Sequence, residues 1–147
     1  MEYTVKVDKE GTVRYYKPGT DVVHREDGPA EVYTDGDEHW FFDGLLHRED
    51  GPASIFSHGL KEWYKNGLFH REDGPAVVHN DGYKAWYKEG KRHREDGPAI
   101  EYVDGTKKWY IDDEELNEEE FKNHTKEAKV HTFTVPKGTK EIRIQLE

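Results

Sequence analysis

The heptapeptide HREDGPA occurs four times, at 24–30, 47–53, 70–76 and 93–99, so that each copy follows the last after 23 residues. A fixed period of this length indicates one small structural unit stacked on copies of itself. Because each unit contacts mainly its neighbours, the repeat constrains the fold to a quasi-one-dimensional array. Catalytic groups are usually assembled once from distant parts of a chain, so a residue set used four times is more typical of a building element or a binding ladder.

Each unit also contains an aromatic pair and a turn signal. The pairs recur at the same interval, at Trp40-Phe41, Trp63-Tyr64, Trp86-Tyr87 and Trp109-Tyr110. An Asp-Gly or His-Gly dipeptide, such as Asp35-Gly36, precedes each pair and predicts a two-residue type I′ turn. We therefore expect each unit to form a hairpin with two strands of about five residues, connected to the next by the loop that carries HRED.

The length of the turn decides which side chains share a sheet face. With a two-residue turn, Trp40 faces the same way as Glu31 and Tyr33, whereas Phe41 joins Ala30. Both faces then hold aromatic rings. We expect one of them to be covered by another element, and a helix would suit.

The predicted fold is mostly β: an elongated antiparallel meander, a single-layer array of β-hairpin repeats, with one C-terminal helix and a terminal hairpin. The array spans 1–116, with an N-terminal cap in about 1–23 followed by four repeats of the HREDGPA type. In the cap, Tyr15-Tyr16 takes the place of the Trp-Tyr pair. At the far end Asp113 stands at the glycine position of the unit, and the array stops near Leu116.

The segment 117–147 has a different pattern. Asn117 and Glu120 have the spacing of a capping box, which predicts a helix over about 118–128. Apolar and polar residues then alternate over about 130–147, which predicts the terminal hairpin. Its apolar strand edge favours homodimerisation through that hairpin.

Composition excludes several classes of protein. The chain has no cysteine, which removes disulfides, thiolate metal sites and cysteine nucleophiles. A net charge of −10 argues against direct nucleic-acid binding. No apolar run is typical of a signal peptide or a membrane span, so we expect a cytoplasmic protein with no membrane contact. Although 37% of residues are charged, nine tyrosines and four tryptophans supply the apolar area needed to fold.

The unit resembles the MORN repeat and its bacterial and viral variants. It shares the 23-residue length, the expected hairpin and an aromatic-x2-Gly pattern, here Tyr64-Lys65-Asn66-Gly67 and Tyr87-Lys88-Glu89-Gly90. The tandem HREDGPA form is similar to repeats in proteins of bacteriophages and large viruses, and the likeness covers about 12–116. MORN repeats usually carry a short His-Gly-x-Gly segment where this chain has the heptapeptide. The resemblance implies a small viral protein that sequesters or inhibits a host factor, such as a defence component.

The charged motif is open to several interpretations. Two strands per repeat place equivalent histidines about 10 Å apart, too far to share an ion, so we expect no metal site and no cofactor. Four identical copies with no distinct nucleophile argue against catalysis, and we expect no catalytic residues. The interpretation that explains the repetition is structural. Each motif arginine reaches a carboxylate of the next unit and fixes the spacing between repeats.

The function expected from these patterns is that of a non-enzymatic interaction protein, which binds a host protein through its repeat surface. The candidate binding residues are His24, Arg25, His47, Arg48, His70, Arg71, His93, Arg94, Trp40, Trp63, Trp86 and Trp109. Two columns vary between repeats and could adapt the surface to a partner, namely Asp37, Leu60, Tyr83 and Thr106, and Phe42, Lys65, Lys88 and Ile111. Alternatives are a sponge for a nucleotide signal, a hydrolase that uses His with Asp, and a DNA mimic based on the acidic run 112–120.

Overall fold

The computed structural model describes residues 2–128, and it is mostly β with a single helix in that part of the chain. In chain order the elements are β1 (Thr4–Val7), β2 (Val13–Tyr16), β3 (Glu31–Val32), β4 (Glu38–His39), β5 (Phe41–Phe42), β6 (Leu45–Leu46), β7 (Ser54–Ile55), β8 (Lys61–Glu62), β9 (Tyr64–Lys65), β10 (Leu68–Phe69), β11 (Val77–Val78), β12 (Lys84–Ala85), β13 (Tyr87–Lys88), β14 (Lys91–Arg92), β15 (Ile100–Glu101), β16 (Lys107–Ile111), β17 (Glu114–Leu116) and α1 (Glu118–Ala128).

Eleven of these strands form one open antiparallel sheet, in the order β1-β2-β3-β4-β7-β8-β11-β12-β15-β16-β17. This meander and the C-terminal helix confirm the predicted fold class. The predicted hairpin over about 130–147, and dimerisation through it, lie outside the described residues. Nowhere in 2–128 is there a helix with the length and apolar character needed to cross a membrane.

The remaining strands pair two by two into small hairpins, which form a second row beside the long sheet. Within one repeat, β7 and β8 belong to the long sheet, whereas β9 and β10 form a small hairpin. The strands β3 to β15 are therefore two residues long, and the expectation of five-residue strands was wrong for them; only β16, in the last repeat, has five. The chain leaves the long sheet at Trp40, Trp63 and Trp86 because the next residue bonds elsewhere: the Tyr64 carbonyl accepts from the Arg48 amide of the preceding motif, at 3.3 Å.

The turn within each long-sheet hairpin has three residues, not two. In the first repeat the amide of Tyr33 donates to the Asp37 carbonyl and the amide of Gly36 donates to the Tyr33 carbonyl. Only Gly36 has a positive φ there, 96°, which is the geometry of a type I turn followed by a glycine bulge. The type I′ prediction was therefore wrong at this position. Type I′ geometry occurs instead at the second corner, where Asp43 and Gly44 both have positive φ.

Because the turn has a third residue, the side chains of the second strand lie on the opposite sheet face from the one predicted. Because β3 pairs with β4 in the register Glu31 opposite His39, Ala30 lies opposite Trp40, and the Trp40 amide donates to the Ala53 carbonyl of the next repeat. Tryptophans and fully buried alanines thus alternate in one column across the sheet. The prediction that Trp40 shares a face with Glu31 was wrong. Alternation of a large and a small side chain lets neighbouring strands pack closely at this column.

The main buried cluster contains Val77, Ala85, Ile100 and Tyr110, together with Ala99 of the tryptophan column, and the rings of Phe69 and Tyr87 pack against it. The small hairpins, which carry Phe69 and Tyr87, therefore supply packing on the long sheet that was expected from a helix. In the described residues, α1 instead contacts the last strand and buries Phe121 at the end of the array.

Both ends of the array follow the sequence predictions. The Arg25 guanidinium lies over the Tyr15 ring at 4.0 Å, so Tyr15 does occupy the tryptophan position of the cap. At the other end, the Glu120 amide donates to Asn117 Oδ1 at 2.9 Å and the Asn117 amide donates to Glu120 Oε2 at 2.8 Å. This is the reciprocal capping box predicted for the start of the helix.

Candidate functional site

Each motif loop is closed by its own arginine. The Arg71 guanidinium lies 4.2 Å from the Trp63 ring centre, Nε donates to Asp73 Oδ1 at 2.8 Å, and Nη1 donates to the Pro75 carbonyl at 3.3 Å. Corresponding contacts are made by Arg25, Arg48 and Arg94. A Cβ at Gly74 would lie 3.1 Å from Arg71 Cζ, which explains the glycine of the motif. The loop is thus held by a cation–π contact and charge-assisted hydrogen bonds within one unit.

This geometry corrects the predicted arginine ladder. Arg25, Arg48 and Arg71 pair with the aspartate two residues further on, not with a carboxylate of the next unit. Arg94 alone among the four also reaches the next unit, through Glu101 at 3.2 Å. The reason is the aromatic ring: a guanidinium held over the ring of its own repeat has its donors directed back into its own loop.

Histidine makes the link between repeats. His70 Nδ1 accepts from the amide of Glu89 at 3.1 Å, and Glu89 is the first positive-φ residue of the type I′ turn in the next repeat. The same bond joins Asp43 to His24, Asn66 to His47 and Asp112 to His93. On its other side, His70 Nε2 lies 2.8 Å from Glu72 Oε1. While Nδ1 accepts from this amide, Nε2 is the nitrogen that carries a proton and donates towards the Glu72 carboxylate.

The predicted binding residues thus have internal roles, and the carboxylates beside them are left on the surface. The side chains of His47, His70 and His93 are 11–17% exposed, whereas those of Glu49 and Glu72 are 84% and 74% exposed. Sequence reasoning did not select the motif glutamates.

Grooves run between successive motif loops. Each has Arg, Glu and Asp of one motif on one wall, the next motif's His, Arg, Glu and Asp on the other, and a tryptophan at its base: Trp40 in the first groove, Trp63 in the second and Trp86 in the third. Their volumes are about 900, 630 and 640 Å³. Trp109 stands beyond the last motif, and no fifth HRED motif follows it in the sequence.

The grooves are acidic on balance. The first is lined by two arginines and four carboxylates, and the other two by two arginines, one lysine and four carboxylates each. The hydrogen bonds from Arg25, Arg48 and Arg71 lower the pKa of Asp27, Asp50 and Asp73 below its ordinary value. These aspartates are therefore ionised at neutral pH, and the grooves favour a cationic ligand.

One of the two variable columns lines these grooves. Phe42 belongs to the first groove, Lys65 to the second and Lys88 to the third. The other column lies beyond the opposite ends of the strands, where Leu60 and Tyr83 pack against the core. Of the two variable columns, only the one with Phe42, Lys65 and Lys88 therefore changes the chemistry of the grooves.

A row of rings in edge-on and tilted contact on the opposite edge of the sheet was not predicted. Successive ring centres of Tyr33, His39, Phe56, His58 and His79 are 5.2–5.7 Å apart. The assumed two-residue turn hid this row, because it placed these rings on different faces. Across residues 2–128, no group of three or more His, Asp or Glu side chains is arranged to hold a metal ion.

The fold and the grooves define a β-hairpin repeat protein with equivalent surface grooves between its motif loops. A search against protein-family models, curated proteins and solved structures finds no match to this chain.

Proposed function

We propose that this is a non-enzymatic interaction protein, which binds another protein along its three grooves. The observation that carries the proposal is the division of labour among the groove residues. The motif supplies the same charged residues to the walls each time, and an exposed position beside them differs, as Phe42, Lys65 and Lys88. A constant framework with a variable contact residue is how repeat proteins adapt an extended surface to a partner.

The internal roles of the motif support binding over catalysis or nucleotide capture. A general base needs a free acceptor atom, whereas His70 Nδ1 already accepts from a backbone amide of the next repeat. A phosphate site needs an excess of positive charge, whereas the second groove has two arginines and one lysine against four carboxylates. The resemblance to repeats of bacteriophage proteins leads us to propose a host protein as the partner, which binding would sequester or inhibit.

Charge reversal in the grooves tests this function. The variant Glu49→Lys/Glu72→Lys/Glu95→Lys changes three carboxylates that are 74–84% exposed, so we expect it to fold normally. The matched control, Glu2→Lys/Glu10→Lys/Glu119→Lys, makes the same change of charge at exposed sites outside the groove linings.

Each protein would be used to purify partners from host lysate, with identification by mass spectrometry. We expect one stoichiometric protein with the wild type and the control, and its loss with the groove variant. Recovery of no stoichiometric protein with the wild type, or equal recovery with all three, contradicts the proposal.

A further inference from the structure

The first groove differs from the other two in a way that selects a ligand group. Phe42 is 44% exposed on its wall, and Lys65 and Lys88 replace it in the second and third grooves. The first groove therefore combines a partly exposed ring with two more carboxylates than arginines. A ring beside carboxylates favours a cation with an apolar stem, because the stem packs on the ring and the charge meets the carboxylates.

The second observation is the pitch of the grooves. Each repeat adds two strands to the long sheet, and neighbouring strands lie about 4.8 Å apart, so successive grooves are about 9.6 Å apart. A partner that occupies all three must present like side chains on one face at this interval.

Only one regular backbone conformation matches that interval closely. A polyproline II helix has three residues per turn and rises about 3.1 Å per residue, so every third side chain returns to one face after about 9.3 Å. In a β-strand, every second side chain returns to the same face after about 6.8 Å. Seven residues of an α-helix rise about 10.5 Å and drift in angle by about 20°. Over two steps the polyproline II mismatch is about 0.6 Å, which side chains absorb without strain.

We propose that the three grooves bind a polypeptide segment in the polyproline II conformation with a basic residue at every third position, and that the first groove provides the main anchor. Successive arginine or lysine side chains enter successive grooves, and the one in the first groove packs against Phe42. The motif glutamates, which are exposed at the groove walls, pair with the charged ends. This proposal rests on the proposed function and specifies the chemistry of the partner.

Synthetic peptides test the pitch. The probe is fluorescently labelled RPPRPPRPP, and the control has the same composition with its arginines adjacent, RRRPPPPPP. Fluorescence anisotropy at physiological salt should show at least tenfold tighter binding of the spaced peptide to the full chain. Equal affinity for the two peptides would overturn the proposal, because charge alone would then explain binding.

Exchanges between repeats test the anchor. Phe42→Lys gives the first groove the residue of the other two, and Lys65→Phe gives the second groove the residue of the first, so both variants use side chains that the scaffold already accommodates. We expect Phe42→Lys to weaken binding of the spaced peptide about tenfold and Lys65→Phe to strengthen it. Unchanged affinity in Phe42→Lys excludes the first groove as the anchor.

The two proposals fail in different ways. If the groove variant Glu49→Lys/Glu72→Lys/Glu95→Lys loses a captured cellular protein but no peptide binds the wild type, the polyproline II proposal is wrong and the proposed function stands. If the wild type captures no protein, the proposed function is wrong whatever the peptides do.

Discussion

The link between repeats is best tested at His70, whose imidazole joins two units. The side chain is 11% exposed, and Nδ1 accepts from the amide of Glu89 at 3.1 Å. His70→Ala removes this acceptor. Because the turn at Glu89 is on the surface, water can reach the freed amide, so the lost hydrogen bond costs about 0.5–1.5 kcal/mol and not the penalty of a fully buried group. Loss of the packed ring adds about 1 kcal/mol.

We therefore expect His70→Ala to lower the free energy of unfolding by about 2 kcal/mol. The matched variant is His70→Asn, because its Oδ1 lies close to the position of Nδ1 and restores about 1 kcal/mol. Glu72→Gln is the control for the other side of the ring. The Glu72 carboxylate is 74% exposed, so this change should stay within about 0.5 kcal/mol of the wild type.

Urea unfolding followed by tryptophan fluorescence measures these free energies, and hydrogen exchange at the Glu89 amide reports on the link itself. Exchange there should be faster in His70→Ala than in the wild type and intermediate in His70→Asn. The reasoning is refuted if His70→Ala is as stable as the wild type, or if the asparagine variant is no more stable than the alanine variant.

Three further predictions concern the motif loop and the core. Gly74→Ala should destabilise the protein by about 1 kcal/mol and alter tryptophan fluorescence, since its Cβ would crowd the Arg71 guanidinium and shift it relative to the Trp63 ring. Asp73→Asn should remove part of the loss of stability on acidification, because Arg71 lowers the pKa of this carboxyl in the folded state. Glu62→Gln should be at least as stable as the wild type at pH 7, because burial raises the pKa of Glu62 and so penalises its ionised form.

The two acidic groups affect stability in opposite directions. The unfolded chain protonates Asp73 first as pH falls, so its contribution is present above about pH 3.9 and is lost as pH falls through the lowered folded pKa. Glu62 binds its proton more tightly when folded, so its contribution is lost as pH rises through the raised folded pKa. Unfolding free energies from pH 2 to 8 measure both. The pKa directions are contradicted if Asp73→Asn has the same pH profile of stability as the wild type, or if Glu62→Gln is less stable than the wild type at pH 7. Unchanged tryptophan fluorescence in Gly74→Ala contradicts the predicted effect on Arg71.

Local patterns in the sequence were enough to predict the architecture. The 23-residue period requires a stacked array whatever the conformation of the unit, and β-branched and aromatic residues between glycine corners favour strands. Asn117 and Glu120 define a helix start because a capping box needs only a side chain and an amide three residues apart. These signals involve residues that are close together in the sequence, so they can be recognised without a structure.

The arrangement within a unit was harder to predict, because it depends on the length of one turn. A dipeptide such as Asp35-Gly36 suits both a two-residue type I′ turn and a three-residue type I turn with a glycine bulge. The choice between them reverses the face of every residue after it. The three-residue turn puts tryptophan opposite alanine, where the two sizes fit. That preference comes from packing across strands and is absent from the turn sequence.

The repeat alone determined that like side chains recur along a β array and that the motif serves every unit equally. Only the tertiary structure decided which motif residue joins the units and which ones meet solvent. Arginine is held over a ring of its own repeat, histidine accepts from the turn of the next one, and the motif glutamates remain at the groove walls. The physical reason is that hydrogen bonds and cation–π contacts depend on distances of a few ångströms between units, and these are set by how strands and corners pack.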